Sequence, residues 1–331
     1  MRNIKALMKI KNSVKIALRT FCALIFIAVF CVVLSGCSGS GNVDITERRA
    51  AALHAEGQAF SISNIETPSH LALELEAAQA FVYDMQNEKY LYLLGADKIL
   101  YPASTTKLLT ALYALEILSP DELVTPGDEL DMKNEQSAIA FIKKHHTLSV
   151  EMLIEAMMLP SGGDAAYALA AAGGRRLSEG EISASLAVEL FVAGMNEYAS
   201  ELGLCGSSFT SPDGFYDPDN FSTIEDMAIL SQAASKNEII MKYASLPSAS
   251  VVYASGHTNS WLNTNRMLHK ESEYYSPYVT GLKTGTLEGN SCLICTLNID
   301  GKNYIAGVFS VKSENGRYDD MQKIIEFCKE R

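Results

Sequence analysis

The sequence predicts an α+β fold, in which strands at both ends of a globular region enclose a series of helices. Two short apolar runs, 80–83 and 90–93, flank a polar turn and predict a β-hairpin at the start of this region. Two more runs, 293–297 and 304–308, flank the turn Asp300–Gly301 and predict strands near its end. Between these two pairs of strands, apolar residues recur with helical spacing.

The predicted helices follow the first hairpin in chain order. The first begins near Pro102, because the fixed φ of proline suits the first helical position, and it continues through the apolar residues beyond Lys107. Four more segments have helical periodicity, and a last helix is expected at the end of the chain. These five segments are 150–158, 165–172, 184–202, 223–235 and 321–331.

The first 36 residues have the layout of an export signal. Six cations and no acid precede an unbroken apolar stretch, residues 21–34, which is short for a membrane span. The stretch ends in Leu34-Ser35-Gly36-Cys37, which resembles the lipobox of bacterial lipoproteins, where the cysteine receives a diacylglycerol. We expect cleavage before Cys37, lipidation of its sulfur and an extracytoplasmic location, with an uncleaved signal anchor as the alternative.

Beyond the signal, composition predicts a tether and then one domain. Residues 37–68 are polar and alanine-rich, and 69–331 are long enough for a domain with its own core. The chain carries 27 Lys and Arg against 39 Asp and Glu, and six of its cations lie in the signal. This acidic balance argues against nucleic acid as a partner. We expect the membrane to be contacted through the N-terminal lipid.

Ser104 and Lys107 form the first candidate catalytic pair. At a spacing of three residues in a helix, both side chains lie on the same face and can touch. A serine hydroxyl becomes a good nucleophile when a base takes its proton, and a partly buried lysine can be that base. The first turn of a helix also offers free backbone N–H groups to developing negative charge.

Two further motifs follow in order. Ser161-Gly162-Gly163-Asp164 lies in the middle of the chain, and Lys283-Thr284-Gly285-Thr286 lies near its end. The ordered set S-x-x-K, a serine-centred loop and K-T-G is typical of penicillin-binding proteins and serine β-lactamases. From about residue 80 onward, the chain resembles the serine D-alanyl-D-alanine carboxypeptidases, the low-molecular-weight penicillin-binding proteins of peptidase family S11. The matching stretches are 101–111, 148–161, 211–215, 263–268 and 279–286.

The resemblance implies a β-lactamase/transpeptidase-like fold: an antiparallel sheet flanked by helices, with a helical subdomain and the active site at their junction. It implies that Ser104 forms an acyl-enzyme, with Lys107 and Ser161 moving the proton and the backbone N–H groups of Ser104 and Thr286 forming the oxyanion hole. Substrate would bind at Gly163 and at the K-T-G motif, which comprises Lys283, Thr284, Gly285 and Thr286. The implied substrates are peptidoglycan pentapeptide stems, β-lactams are the covalent inhibitors, and no cofactor or metal is needed. No additional C-terminal β domain fits after Lys283.

One position departs from the family pattern. The middle motif normally has asparagine where this chain has Gly163. In the family that asparagine helps to hold the lysine and the substrate backbone, so its loss removes hydrogen bonds worth about 1 kcal/mol each. Because Ser161 and Asp164 are retained, we expect a modified but working site.

Three rival functions stay open on the sequence alone. A β-lactamase of the class A pattern needs a positioned glutamate base, for which no convincing motif is present. A D,D-endopeptidase would use the same residues and differ in the shape of its cleft. A weakly active or non-catalytic lipoprotein that binds peptidoglycan or senses β-lactams is motivated by Gly163.

The cysteines and histidines carry weaker predictions. Cys292 and Cys295 are three apart on a predicted strand, so their side chains should point to opposite faces. We expect buried thiols in the domain, with one longer-range disulfide possible. His145 and His146 lie in a polar run with no second cluster of ligands in the sequence, so solvated loop histidines are expected. Trp261 and Tyr253 are assigned to core or cleft packing.

Overall fold

The computed structural model describes residues 73–178 and 181–331. The predicted signal, Cys37 and the predicted tether lie outside these residues. The described part has the predicted α+β architecture, with a five-stranded antiparallel sheet and helices on both of its faces. No helix within this part is long and apolar enough to cross a membrane.

The strands form one large sheet and two small ones. The large sheet has the order β2-β1-β9-β8-β7, so the first and last strands of the fold pair in its middle. The small sheets pair β3 with β4 and β5 with β6. The strands are β1 (Gln79–Asp84), β2 (Lys89–Leu94), β3 (Leu123–Val124), β4 (Leu148–Ser149), β5 (Ser248–Val252), β6 (Thr258–Leu262), β7 (Val279–Leu287), β8 (Asn290–Ile299) and β9 (Lys302–Val311).

Six of the seven α-helices that the structure describes lie between β2 and β5, and the seventh follows β9. Side-chain caps start four of them: Ser149, Ser183, Thr223 and Asn237 each accept a backbone N–H from the first turn. The helices are α1 (Lys107–Ile117), α2 (Val150–Met158), α3 (Gly163–Leu177), α4 (Ala184–Leu202), α5 (Ile224–Ser235), α6 (Glu238–Ala244) and α7 (Gly316–Lys329).

The large sheet separates two hydrophobic cores. Because side chains alternate along a strand, Phe81 faces the core under α1–α6, whereas Ala80 and Val82 face the core under α7. Cys292 and Cys295 divide in the same way, one in each core, which confirms the prediction that they point to opposite faces. The sheet is therefore covered on both faces. The face that packs against α1–α6 carries the segments that hold the candidate catalytic residues.

Several boundaries differ from the predicted ones. Helix α3 runs from Gly163 to Leu177, well beyond the predicted 165–172, and α7 begins at Gly316, a turn earlier than predicted. The hairpin of β5 and β6 and the short helix α6 were not predicted. The patterns of β5 and β6 are short and contain serine and asparagine, and α6 has only seven residues, so packing on neighbouring elements decides their conformation.

Candidate active site

Ser104 lies in a 3₁₀ turn, Ala103–Thr106, that leads directly into α1. The turn brings the Lys107 side chain back over Ser104, and Lys107 Nζ lies 2.9 Å from Ser104 Oγ. Ser104 is half-buried, so solvent and a ligand can reach its hydroxyl. The helix start that the sequence predicted is thus a 3₁₀ turn followed by an α-helix, and the two side chains meet as the spacing requires.

Lys107 is buried although it carries an amine, with only 2% of its surface exposed. Its Nζ also donates to the backbone oxygen of Asp213 at 2.7 Å. Burial lowers the pKa of Lys107 to about 8, and the nearby carboxylates of Asp213 and Asp164 oppose this shift only partly. An appreciable share of the amine is therefore neutral near pH 7 and can accept a proton.

Ser161 and Lys283 form a second hydroxyl–amine pair. Lys283 Nζ lies 2.9 Å from Ser161 Oγ, and both residues are buried. Burial, followed by the positive charges of Lys107 and Arg317, holds the pKa of Lys283 well below its usual range. Ser161 has φ 64°, a left-handed conformation that costs a residue with a side chain free energy and that here aims the hydroxyl at the lysine.

The surroundings of Gly163 leave little room for the asparagine side chain that the family pattern places here. A Cβ at this position would lie 2.9 Å from Asp213 Oδ2 and 3.1 Å from Ser137 Cβ. The Ser137 hydroxyl donates to the same Asp213 oxygen at 2.7 Å. The space beside Gly163 is therefore filled by a serine–aspartate pair from two other segments of the chain.

Asp164, the next residue, fixes one wall of the site. Its carboxylate accepts the backbone N–H groups of Ala140 and Ile142, at 2.8 and 2.9 Å. Although burial raises the pKa of Asp164, these backbone N–H bonds act in the opposite direction. The segment 137–142 is thereby tied to the start of α3, next to Ser161.

The K-T-G motif lies on β7, an edge strand of the large sheet. Gly285 packs against the 3₁₀ turn of Ser104, since a Cβ there would lie 3.0 Å from Ala103 Cβ. Arg317, at the start of α7, donates to the backbone oxygen of Gly285 at 3.0 Å and to Thr286 Oγ1 at 2.8 Å. Thr284 is buried and its hydroxyl meets that of Thr264.

The structure therefore brings the three predicted motifs together in one site. Ser104 and Lys107 come from the start of α1, Ser161 and Gly163 from the start of α3, and Lys283 from β7. Lys107 and Lys283 are close enough for the charge of the first to lower the pKa of the second. Two hydroxyls, each paired with a buried lysine, can pass a proton from an attacking oxygen to a leaving group.

A model of the D-alanyl-D-alanine carboxypeptidase family, peptidase S11, matches residues 64–313. The chain belongs to this family. It is 30% identical over 278 residues to the D-alanyl-D-alanine carboxypeptidase DacF of Bacillus subtilis, covering 82% of this chain and 66% of that protein. It is also 30% identical over 294 residues to the D-alanyl-D-alanine carboxypeptidase of Streptomyces sp. strain K15, covering 85% of this chain and 97% of that protein.

Solved structures show the same fold. The Streptomyces K15 DD-transpeptidase superposes with a TM-score of 0.69 at 28% identity, over 76% of this chain and 97% of that one. Penicillin-binding protein D2 of Listeria monocytogenes, solved in an ampicillin-bound form, gives a TM-score of 0.62 at 29% identity, over 77% and 98% of the two chains. The predicted β-lactamase/transpeptidase-like fold is confirmed.

Sequence analysis of this S11 family member missed two residues that contact the predicted ones. Asp213 holds Lys107 through its backbone and fills the space beside Gly163 through its side chain. It stands in the matching stretch 211–215, so the resemblance could have indicated it. Arg317 carries no such signal, because only the fold brings the start of α7 beside β7.

The histidine prediction was wrong for His146. His146 is buried and packs against Tyr253, and His257 joins it and His145 from the turn between β5 and β6. Burial, followed by the neighbouring imidazoles, lowers the pKa of His146. The sequence could not place His257 here, because about 110 residues separate it from His146.

The cysteine prediction was right for three residues and wrong for one. Cys292, Cys295 and Cys328 are buried free thiols, whereas Cys205 is exposed. Cys205 is also a free thiol, so these four cysteines form no disulfide with one another. Burial raises the pKa of each of the three buried thiols to about 12 and so keeps them protonated.

Proposed function

We propose that this chain is a serine D-Ala-D-Ala carboxypeptidase that removes the terminal D-alanine from peptidoglycan stem peptides. The observation that carries the proposal is the pair of hydroxyl–lysine contacts, Ser104 with Lys107 and Ser161 with Lys283, in one cleft of the S11 fold. The relatives that bear the carboxypeptidase name support the substrate class.

Acylation begins when Ser104 Oγ attacks the carbonyl carbon of the penultimate D-alanine. Lys107 takes the hydroxyl proton, because burial keeps part of this amine neutral. The Ser161 hydroxyl, held by Lys283, relays this proton: it gives its own proton to the departing D-alanine amine and takes the one that Lys107 carries, so both groups return to their starting state. Backbone N–H groups of Ser104 and Thr286 stabilise the oxyanion, because donors held in place favour the charged intermediate over the neutral substrate.

We assign recognition of the C-terminal carboxylate of the substrate to β7, the strand that carries the K-T-G motif. Arg317 supplies positive charge beside Gly285 and Thr286, and the Lys283 amine and the hydroxyls of Thr284 and Thr286 supply hydrogen-bond donors. The free edge of β7 can align an extended peptide beside it. A free C-terminal carboxylate is thus the expected anchor of the substrate, and the carboxylate of a penicillin would use the same groups.

The fate of the acyl-enzyme distinguishes the related activities. In a carboxypeptidase, water hydrolyses the acyl-enzyme and releases the shortened peptide. In a transpeptidase, an amine takes over the acyl group. In either enzyme, slow hydrolysis of the acyl-enzyme formed with penicillin makes the protein penicillin-binding. The K15 enzyme is named both a carboxypeptidase and a DD-transpeptidase, so both acceptors are to be tested for this chain. A D-alanyl-D-alanine endopeptidase of Pseudomonas aeruginosa is 24% identical to this chain, so cleavage of cross-links is the alternative activity to test.

We further propose a division of the chain into a lipoprotein signal at 1–36, a lipidated tether at 37–68 and the catalytic domain at 69–331. The lipobox-like end of the apolar stretch supports attachment of lipid to Cys37. The enzyme would then act outside the cytoplasm on the cell wall, at the distance from the membrane that the tether allows. Mass spectrometry of the N-terminal peptide, with Cys37→Ala as the control, tests the modification.

The activity is tested with the full-length chain in detergent, incubated with penicillin and separately with diacetyl-Lys-D-Ala-D-Ala. We expect a penicillin adduct on Ser104 and release of D-alanine, both absent in Ser104→Ala. Both should be retained in Ser200→Ala, a serine exposed on α4 that serves as the matched control. No adduct in the wild-type chain would overturn the proposal. An adduct with cleavage only of a cross-linked dimer would replace it by the endopeptidase.

A further inference from the structure

Three imidazoles meet on the surface beside the catalytic cleft. The side chains of His145, His146 and His257 each bring a nitrogen within 4.8 Å of the other two. Their ring centroids lie 4.5–5.0 Å apart. His145 and His257 are exposed and His146 is buried, so the cluster has a solvated mouth and a packed floor.

We propose that His145, His146 and His257 form a binding site for a divalent transition metal ion of the zinc class. An all-imidazole set of three ligands suits Zn²⁺, Co²⁺ and Cu²⁺, whereas Mg²⁺ and Ca²⁺ require oxygen ligands. Each imidazole offers one nitrogen lone pair, and the three nitrogens lie close enough together for one cation to bind them. This inference is independent of the proposed peptidase activity.

The residues around the cluster orient its rings. The Thr147 backbone N–H donates to Ser255 Oγ at 3.1 Å, and this hydroxyl lies 3.2 Å from His257 Nδ1. A contact of this kind at Nδ1 leaves Nε2 for a metal ion. The Lys143 amide donates to His146 Nδ1 at 3.1 Å, so an ion bound through that nitrogen would replace one hydrogen bond.

A bound ion would join two segments that lie far apart in the sequence. His145 and His146 lie on the segment before β4, and His257 lies on the turn of the β5–β6 hairpin. Asn259 and Trp261 of the same hairpin both donate to the backbone oxygen of Ala140. Because Asp164 holds Ala140 from the other side, the ion would stiffen the wall of the cleft.

The test is a metal titration of the full-length chain after treatment with EDTA and dialysis. Zn²⁺ is followed by equilibrium dialysis and by thermal unfolding, and Co²⁺ by its visible absorption. We expect one saturable ion at the cluster, with a rise in melting temperature on Zn²⁺ and none on Mg²⁺.

Variants that keep the ring but remove its nitrogens separate a metal site from aromatic packing. His145→Phe and His257→Phe, both at exposed positions, should weaken Zn²⁺ binding by at least about tenfold while the metal-free protein stays folded. Thr258→Ala, an exposed neighbour of His257, should bind as the wild type does. The proposal is overturned if the wild type binds no ion, or if both Phe variants bind as tightly as the wild type. Penicillin acylation of Ser104 is scored separately, so failure of either proposal leaves the other intact.

Discussion

Restoring the family residue at position 163 should damage this protein. In Gly163→Asn, the new Cβ alone would lie 2.9 Å from Asp213 Oδ2 and 3.2 Å from the Ala138 backbone oxygen. Overpacking of this kind costs about 1–3 kcal/mol. Since about 1 kcal/mol shifts the melting temperature of a domain of this size by roughly 2–4 °C, the loss is measurable by calorimetry.

The acylation rate should fall as well, because the clash acts on the residue that holds Lys107. The backbone oxygen of Asp213 accepts from Lys107 Nζ at 2.7 Å, and a hydrogen bond to a charged group is worth about 1.5–3 kcal/mol. Displacing it should slow penicillin acylation by roughly 10- to 100-fold, read by mass spectrometry of quenched samples. A Gly163→Asn variant that melts with the wild type and acylates as fast would refute this reasoning. Asp213→Ala in the same chain makes room for the asparagine and should recover part of the melting temperature.

Three other changes have definite expected outcomes. Burial lowers the pKa of Lys107 to about 8, so the rate of acylation should rise about tenfold from pH 6 to pH 7 and level off above about pH 8. An acylation rate that does not change with pH would exclude Lys107 as the base. Burial raises the pKa of Glu155 on α2 from 4.5 to about 7, so the folded protein binds this proton more tightly than the unfolded protein does. The free energy of unfolding therefore falls as pH rises from about 4.5 to 7. Glu155→Gln should therefore gain about 2 kcal/mol at pH 8 and little at pH 4.5, and equal melting curves at pH 8 would contradict this. Arg317→Ala should raise the KM for the peptide at least about tenfold, because Gly285 and Thr286 lose their charged donor, and a change confined to kcat would argue against carboxylate binding.

Local patterns predicted the elements whose own residues decide their conformation. The first hairpin and the strands β8 and β9 lie where short apolar runs predicted them, because β1, β8 and β9 are buried on both faces, and α4 lies where helical spacing predicted it. The pair Ser104 and Lys107 followed from a spacing of three residues within one turn. In each case the deciding contacts are close in sequence.

The features that sequence analysis missed depend on contacts between distant segments. Asp213 reaches Lys107 from 106 residues away, and nothing near Gly163 shows that Ser137 and Asp213 fill the space beside it. Strand β7 contains Gly281 and Gly285, which weaken its strand pattern, and pairing with β8 supplies the order that its residues lack. His146 was wrongly expected in solvent because its neighbours on the β5–β6 hairpin come much later in the chain.

The pairing of β1 with β9 has a consequence for the order of folding. Residue 80 pairs with residue 308, so the middle of the sheet closes only after nearly the whole domain has left the ribosome. Such a topology has a high contact order and folds slowly, since the entropy of a long loop is lost before its contacts form. Without β9, the sheet would divide into the pairs β2–β1 and β8–β7, and β1 and β8 would each expose an unpaired edge. Truncations that stop before residue 302 should therefore yield aggregates, even though every catalytic candidate is still present in them.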